Sequence, residues 1–294
     1  MKLLVGYLAT SGGADAVALG VRFARTLGAE LEISMVLPPD RAMPSLVSTG
    51  GYEDVLGEQA EKWLAEALAS IPHDVVAHGH SRFDESSADG LISEAARLEA
   101  EVIVVGGSGG GLAGSYSLGS VVNELLYSSP VPVAIAPRGT RDSGIERVRE
   151  VTCALGERRG ADLLLDTAVR ASGAAGTPLR LVSLVALDPV FGALRSDHEA
   201  VRERALEHAQ HTLDAAKSAL PEGFPVTSII ADGPTVEEAV KKLEWHDGDV
   251  IVVGSSRLSA PKRLFLGSTA AKMLRVLDVP MVVVPRDEHD EAES

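Results

Sequence analysis

Aromatic residues are scarce: Phe, Trp and Tyr make up 4% of the 294 residues, although 45% are hydrophobic. Any core must therefore be aliphatic, built from Val, Leu, Ile and Ala. The chain has one cysteine, Cys153, which excludes an internal disulfide and fits a reducing, cytoplasmic compartment. No run approaches the roughly 18 apolar residues a membrane helix needs, so no membrane partner is expected. The opening Met1-Lys2-Leu3-Leu4-Val5-Gly6-Tyr7-Leu8 lacks a signal peptide's longer apolar region and small-residue cleavage site, and reads as a first strand. Positive charge is also in deficit, with 27 Lys and Arg against 42 Asp and Glu and a formal net charge of −15. Duplex nucleic acid is held by clustered Lys and Arg that release counterions, so this balance argues against DNA or RNA as a main partner. Residues 287–294 form an acidic tail with the composition of a disordered segment. No paired catalytic carboxylates or nucleophile triad stand out, and, weak ATP hydrolysis apart, the chain is expected not to be an enzyme.

What is present is a repeat. Val102-Ile103-Val104-Val105-Gly106-Gly107-Ser108 recurs 148 residues later as Val250-Ile251-Val252-Val253-Gly254-Ser255-Ser256. The same shift maps Leu118-Gly119-Ser120 onto Leu266-Gly267-Ser268, and Val131-Pro132-Val133 onto Val279-Pro280-Met281. Near the start, Gly13-Ala14-Asp15 matches Gly160-Ala161-Asp162 at a shift of 147. A period this long makes each copy a whole domain. The expected domains are 1–139 and 146–287, joined by a polar linker at 140–145.

Each copy alternates apolar runs with helical periodicity. In the first, strands are expected at 2–8, 30–37, 74–79, 102–105 and 133–136, and helices at 15–27, 52–71, 86–99 and 119–128. The second repeats this order, with a long helix at 199–220. Continuous apolar strands between amphipathic helices imply a parallel sheet covered on both faces. Such sheets bind ligands at the carboxyl ends of their strands.

The fourth strand of copy one leads into Gly106-Gly107-Ser108-Gly109, then nine residues ending at Leu118, then Gly119-Ser120, the pattern G-x2-G-x9-G-S. Glycines allow a backbone to turn tightly and approach a phosphate. Gly119-Ser120 opens a helix, where free N–H groups and the positive end of the dipole favour an anion. The same residues also suit a plain Gly-rich loop ending in a helix cap; their position between an apolar strand and a helix favours phosphate.

With its strands and the closing Pro132-Val133-Ala134-Ile135-Ala136-Pro137, this pattern resembles the ATP-binding type of universal stress protein, over nearly the whole chain and twice. The resemblance implies two doubly wound α/β domains, each a five-stranded parallel sheet of order 3-2-1-4-5. It implies that they pair through their last strands as an intramolecular pseudo-dimer, and it allows a further homodimer. It also implies an adenine nucleotide (ATP, ADP or AMP) as ligand, with Mg2+ only alongside the nucleotide. Gly106, Ser108, Gly109, Gly119, Ser120 and Val121 would contact phosphate and ribose, and the Val36 backbone would meet the adenine. Leu8 and Leu155 stand where the family usually carries Asp, and residues 106–118 hold no Lys or Arg. In copy two, Arg257 replaces the second glycine and Lys262 and Arg263 follow. The second site, Gly254, Arg257, Gly267 and Ser268, is therefore expected to be degenerate or to have changed ligand. Protein partners are not specified by the sequence.

Other readings are weaker. A protein-interaction module without nucleotide is the alternative function. Ser11-Gly12-Gly13-Ala14-Asp15 resembles the pyrophosphate loop of ATP pyrophosphatases, a remote enzymatic alternative that copy two lacks and for which no residues remain to build a substrate domain. Gly106-Gly107-Ser108-Gly109-Gly110 fits G-x-S-x-G, but no His follows it in copy one. Gly109-Gly110-Gly111-Leu112-Ala113-Gly114 fits G-x-G-x-x-G, but after the fourth strand rather than the first. His78 and His80 share a strand face. His208 and His211 have a spacing that suits a metal, but His208 aligns with Val201, Ala205 and Ala215 on a stripe expected to be partly buried. Asp84, Glu85 and Asp89 read as a solvated loop and helix start.

Overall fold

A computed structural model of the protein describes residues 1–40, 52–107, 119–156, 161–186, 198–255 and 266–285. Domain 1 runs β1 (Lys2–Gly6), α1 (Ser11–Leu27), β2 (Glu30–Leu37), α2 (Tyr52–Ala69), β3 (Ala77–Phe83), α3 (Ser87–Leu98), β4 (Val102–Gly106), α4 (Ser120–Ser128) and β5 (Val133–Ala136). Domain 2 repeats this as β6 (Glu150–Leu155), α5 (Ala161–Ala175), β7 (Leu179–Ala186), α6 (His198–Ser218), β8 (Val226–Gly233), α7 (Val236–Lys241), β9 (Asp249–Gly254), α8 (Ser268–Leu274) and β10 (Met281–Val284). No described helix is long and apolar enough to cross a membrane.

The strands form one ten-stranded sheet, β3-β2-β1-β4-β5-β10-β9-β6-β7-β8. Each half has the order 3-2-1-4-5 and is parallel throughout. The halves join where β5 and β10 pair antiparallel, with Ile135 opposite Met281 and Val133 opposite Val283. The last strands do pair, as the resemblance implies, and the pseudo-dimer is one continuous sheet. The central strands are apolar on both faces because both are covered. Leu3, Val5 and Ile33 pack beneath Leu19 and Phe23 of α1. Leu4, Ile103 and Ile135 pack beneath Leu91 of α3 and Leu125 of α4. The lone Cys153 lies in this interior, where burial pushes its thiol up to about 12, so it is an inert core residue.

Three expectations are corrected. Helix α1 begins at Ser11, not 15: Ser11-Gly12-Gly13 is its first turn, capped by Thr10, whose hydroxyl accepts from Gly13 N at 3.2 Å. Strand β3 begins at Ala77, not 74, because Val75 N closes a turn on Pro72 O and the Asp74 carboxylate is held by Arg25 through two 2.8 Å bonds. On α6 the inward stripe is Ala209 and Leu213, one turn apart; His208 and His211 are exposed.

The linker is not a loose connector. It forms a 3-10 turn at Thr140–Asp142 and runs as a strap over α1. Asp15 is buried, and its carboxylate accepts from the backbone N–H groups of Gly139 (3.2 Å) and Arg141 (3.0 Å) and from the Arg141 guanidinium (3.0 Å). Arg22, also buried, donates to Ile145 O at 3.1 Å, to the Ser143 hydroxyl and to Asp247 of domain 2. Thr26 accepts from Val148 N at 2.9 Å. Burial pulls the Arg22 guanidinium below its ordinary value, against the Asp247 carboxylate that holds it up.

Candidate functional site

The carboxyl edge of domain 1 is assembled from the ends of β1, β2 and β4 and the starts of α1 and α4. After β1 the chain turns sharply: Thr10 N donates to Leu8 O at 2.7 Å. A Cβ added to Gly13 would lie 1.8 Å from that same carbonyl oxygen. The turn then presses on the end of β4, where a Cβ on Gly106 would lie 1.9 Å from Gly12 O and one on Gly12 would lie 2.9 Å from Gly107 O. Gly106 is therefore a glycine because another backbone lies against it, a reason the sequence pattern does not reveal. Gly107 N is held by Ala136 O of β5 at 3.0 Å. With Thr10 already on the Gly13 N–H, the segment resembling a pyrophosphate loop is a capped helix turn packed on a neighbouring strand.

Ser108 and Gly109 lie outside the described residues. Gly119 caps α4 with an extended backbone (φ −69°, ψ 166°) and no side-chain hydrogen bond to the helix, so the nine-residue α4 starts without an internal acceptor for its first N–H groups. Ser120 is exposed and Val121 half-buried beside that start. Val36, next to last in β2, has its side chain buried: the Cβ position of Gly90 on α3 is 2.6 Å from Val36 Cγ1, so only the Val36 backbone is available at the edge. Leu8, 53% exposed, contributes an apolar side chain to the same rim.

Domain 2 repeats the frame with different fittings. Gly267 caps α8 as Gly119 caps α4 (φ −67°, ψ 160°), with Ser268 next. Gly254 ends β9, but among the described residues a Cβ there would meet only Leu164 Cδ2, at 3.5 Å, an ordinary contact. Arg257 lies outside the described residues. The loop returns at Leu266, which is buried and whose N–H donates to Leu126 O of α4 at 3.2 Å, tying the second loop to the domain 1 helix.

A charged cluster at the amino edge of domain 1 was missed by the sequence reading. Glu32, 2% exposed in β2, accepts from Lys2 at 3.2 Å and from His80 Nε2 at 2.6 Å. Arg97 donates to His80 Nδ1 at 3.3 Å, so the two neighbours together call for the neutral imidazole with its proton on Nε2. Arg97 also holds buried Glu94, which takes a further bond from Arg82 at 3.1 Å. Burial pushes the Glu32 carboxyl up, but the hydrogen bonds from His80 and Lys2 outweigh it and leave it below the ordinary range. Hydrogen bonding from Arg97 likewise lowers Glu94. With its charges paired this way, the cluster is structural. Among the described residues no group of His, Cys, Asp and Glu is placed to hold a metal ion.

The profile of the Universal stress protein family matches residues 1–137 and 148–285. A universal stress protein of Mycobacterium tuberculosis is 28% identical over 293 residues, covering 97% of this chain and all of that protein. Among solved structures, a universal stress protein from Archaeoglobus fulgidus superposes with a TM-score of 0.68 at 20% identity, covering 97% of this chain and 98% of that one. A Pseudomonas aeruginosa protein of unknown function gives 0.60 at 17% identity, over 98% of this chain and 93% of the other. At these identities the two structures support the fold alone.

Proposed function

The chain belongs to the universal stress protein family, and on that premise we propose that domain 1 binds an adenine nucleotide and that occupancy regulates the protein or its partners rather than feeding a catalytic step. The observation that carries this reading is the start of α4 at Gly119, a cap residue with no side chain to bond the first N–H groups, one loop beyond Gly106 at the carboxyl edge. Backbone N–H groups at such a start, with the Ser120 hydroxyl, suit a phosphate chain, and the Val36 backbone suits the base. Gly106, Ser108, Gly109, Gly119, Ser120 and Val121 are the proposed contacts. Because residues 106–118 carry no cation, the phosphate charge is met by N–H dipoles, with Mg2+ entering only with the nucleotide, and the affinity is modest. With Leu8 at the rim, no carboxylate from β1 meets the ribose. The second site, at Gly254, Arg257, Gly267 and Ser268, is degenerate or takes a different ligand.

The test is calorimetric titration of the full chain with ATP. Wild type is expected to bind one nucleotide, and Gly109→Arg to weaken it at least tenfold. Unchanged affinity in the variant sinks the assignment to domain 1. No binding by wild type leaves the interaction-module reading in its place.

A further inference from the structure

Away from the glycine loops, a cavity of about 740 Å3 lies where the two domains meet. Its size is within the roughly 300–1,000 Å3 of small-molecule sites, which favour domain interfaces. Phe23, Thr26 and Leu27 of α1 line it from domain 1, and Ala171, Ala174 and Ala175 of α5 line it from domain 2. Counted back from the left-handed glycine that follows each helix, Gly28 and Gly176, these two sets are the same positions, at the shift of 148 that also relates the strands. Where α1 presents a phenyl and an isobutyl group, α5 presents methyls. The difference in side-chain volume leaves room on the domain 2 side.

The hydroxyls in the wall are already used. Thr26 donates to Arg22 O at 2.6 Å and accepts from Val148 N, and Thr167 donates to Leu163 O at 2.8 Å. A sugar or nucleotide would find few partners here, whereas an apolar ligand gains by leaving water. Charge sits at the rim. Arg170 is exposed and, among the described residues, has no acidic partner. It is the repeat counterpart of Arg22, which the linker strap covers. Glu99 and Glu101 line the domain 1 side, so an anionic head is accepted only at the domain 2 end.

We propose that this cavity binds one free long-chain fatty acid, its chain between α1 and the alanines of α5 and its carboxylate on Arg170. A paired guanidinium–carboxylate contact gives the head its orientation, and the apolar wall supplies the affinity. The inference does not depend on the nucleotide reading.

The experiment uses the full chain, with a fluorescent polyunsaturated fatty acid as probe and palmitate or its methyl ester as competitor. Wild type is expected to bind one probe saturably and to prefer palmitate to the ester. Installing the domain 1 residues, Ala171→Phe with Ala175→Leu, is expected to weaken binding at least tenfold. Ala174→Phe, at an exposed position that leaves folding intact, is expected to weaken it in the same direction, with circular dichroism and melting reporting the folded state. Arg170→Ala is expected to weaken palmitate about tenfold and leave the ester unchanged. The proposal is overturned by no saturable binding, by binding only to lipid vesicles, by wild-type affinity in a folded filled variant, or by an Arg170→Ala effect equal for acid and ester.

Discussion

In domain 1, Lys2 at the start of β1 and Glu32, third in β2, lie 3.2 Å apart; in domain 2 the equivalent residues, Glu150 at the start of β6 and Arg180, second in β7, lie 3.0 Å apart. The charges are opposite in both, with the signs exchanged. The surroundings differ accordingly. Glu32 is met by His80, backed by Arg97. Arg180 lies over the Trp245 ring at 4.7 Å, and Trp245 occupies the repeat position of Arg97. The comparison teaches that the fold demands neutralisation of a charge buried or half-buried at this edge, not a particular sign. It also warns that matching backbones do not make matching sites, and the glycine loops follow the same rule.

The largest expected effect breaks the symmetry at the carboxyl edge. Gly106→Ala forces a methyl into Gly12 O and is expected to cost about 3 kcal/mol, whereas Gly254→Ala, with 3.5 Å to its nearest described neighbour, should stay within about 0.5 kcal/mol. Urea denaturation of the two variants checks this; a cost for Gly106→Ala as small as about 0.5 kcal/mol would mean that the tight approach to β4 does not exist in domain 1. The next effect concerns the strap. Arg22→Ala removes a buried guanidinium from Ile145, Ser143 and Asp247 and is expected to cost about 2 kcal/mol, while its counterpart Arg170→Ala should change stability by less than about 0.5 kcal/mol. Thermal melting of the pair separates a strap that bears on stability from one that merely lies on α1.

The smallest effect is one of sign with pH. Glu32 is held below its ordinary value of 4.5 in the folded chain, so the unfolded chain binds more protons between the two values. The stability it contributes is present above 4.5 and lost as pH falls through the folded value. Glu150 is shifted the other way: burial raises it, and the nearby Arg180 only partly offsets this. Its folded form therefore holds more protons, and its contribution falls as pH rises above 4.5. Denaturation at stepped pH is expected to show that Glu32→Gln loses less stability on acidification than wild type, and that Glu150→Gln removes a decline on the alkaline side of 4.5. Shifts of the same sign in both variants would refute the exchange.

Legibility from sequence tracked distance along the chain. The Val102-to-Gly106 run and its copy at 250–254 identified two central strands, because a strand buried on both faces must be apolar throughout. Strand β3 was displaced by three residues because it is an edge strand, with exposed residues such as His78 and Ser81 and no continuous apolar run. His208 was drawn into a stripe by its period, yet the buried face of α6 runs through its neighbour Ala209. Gly106 was noticed as part of a glycine pattern, but its neighbour Gly12 lies ninety-four residues earlier and left no local mark.

The sequence alone determined the duplication, the α/β class and the aliphatic core, because hydrophobic period and repeat are properties of neighbouring residues and of one constant shift. Only the tertiary structure decided that the 140–145 segment straps α1 through Asp15 and Arg22, that Glu32 and Arg180 satisfy one constraint with opposite charge, and that alanines of α5 face Phe23 and Leu27 across a cavity. Those contacts join residues far apart in the chain, and their energies depend on burial and on partners that exist only once the two halves have closed along β5 and β10.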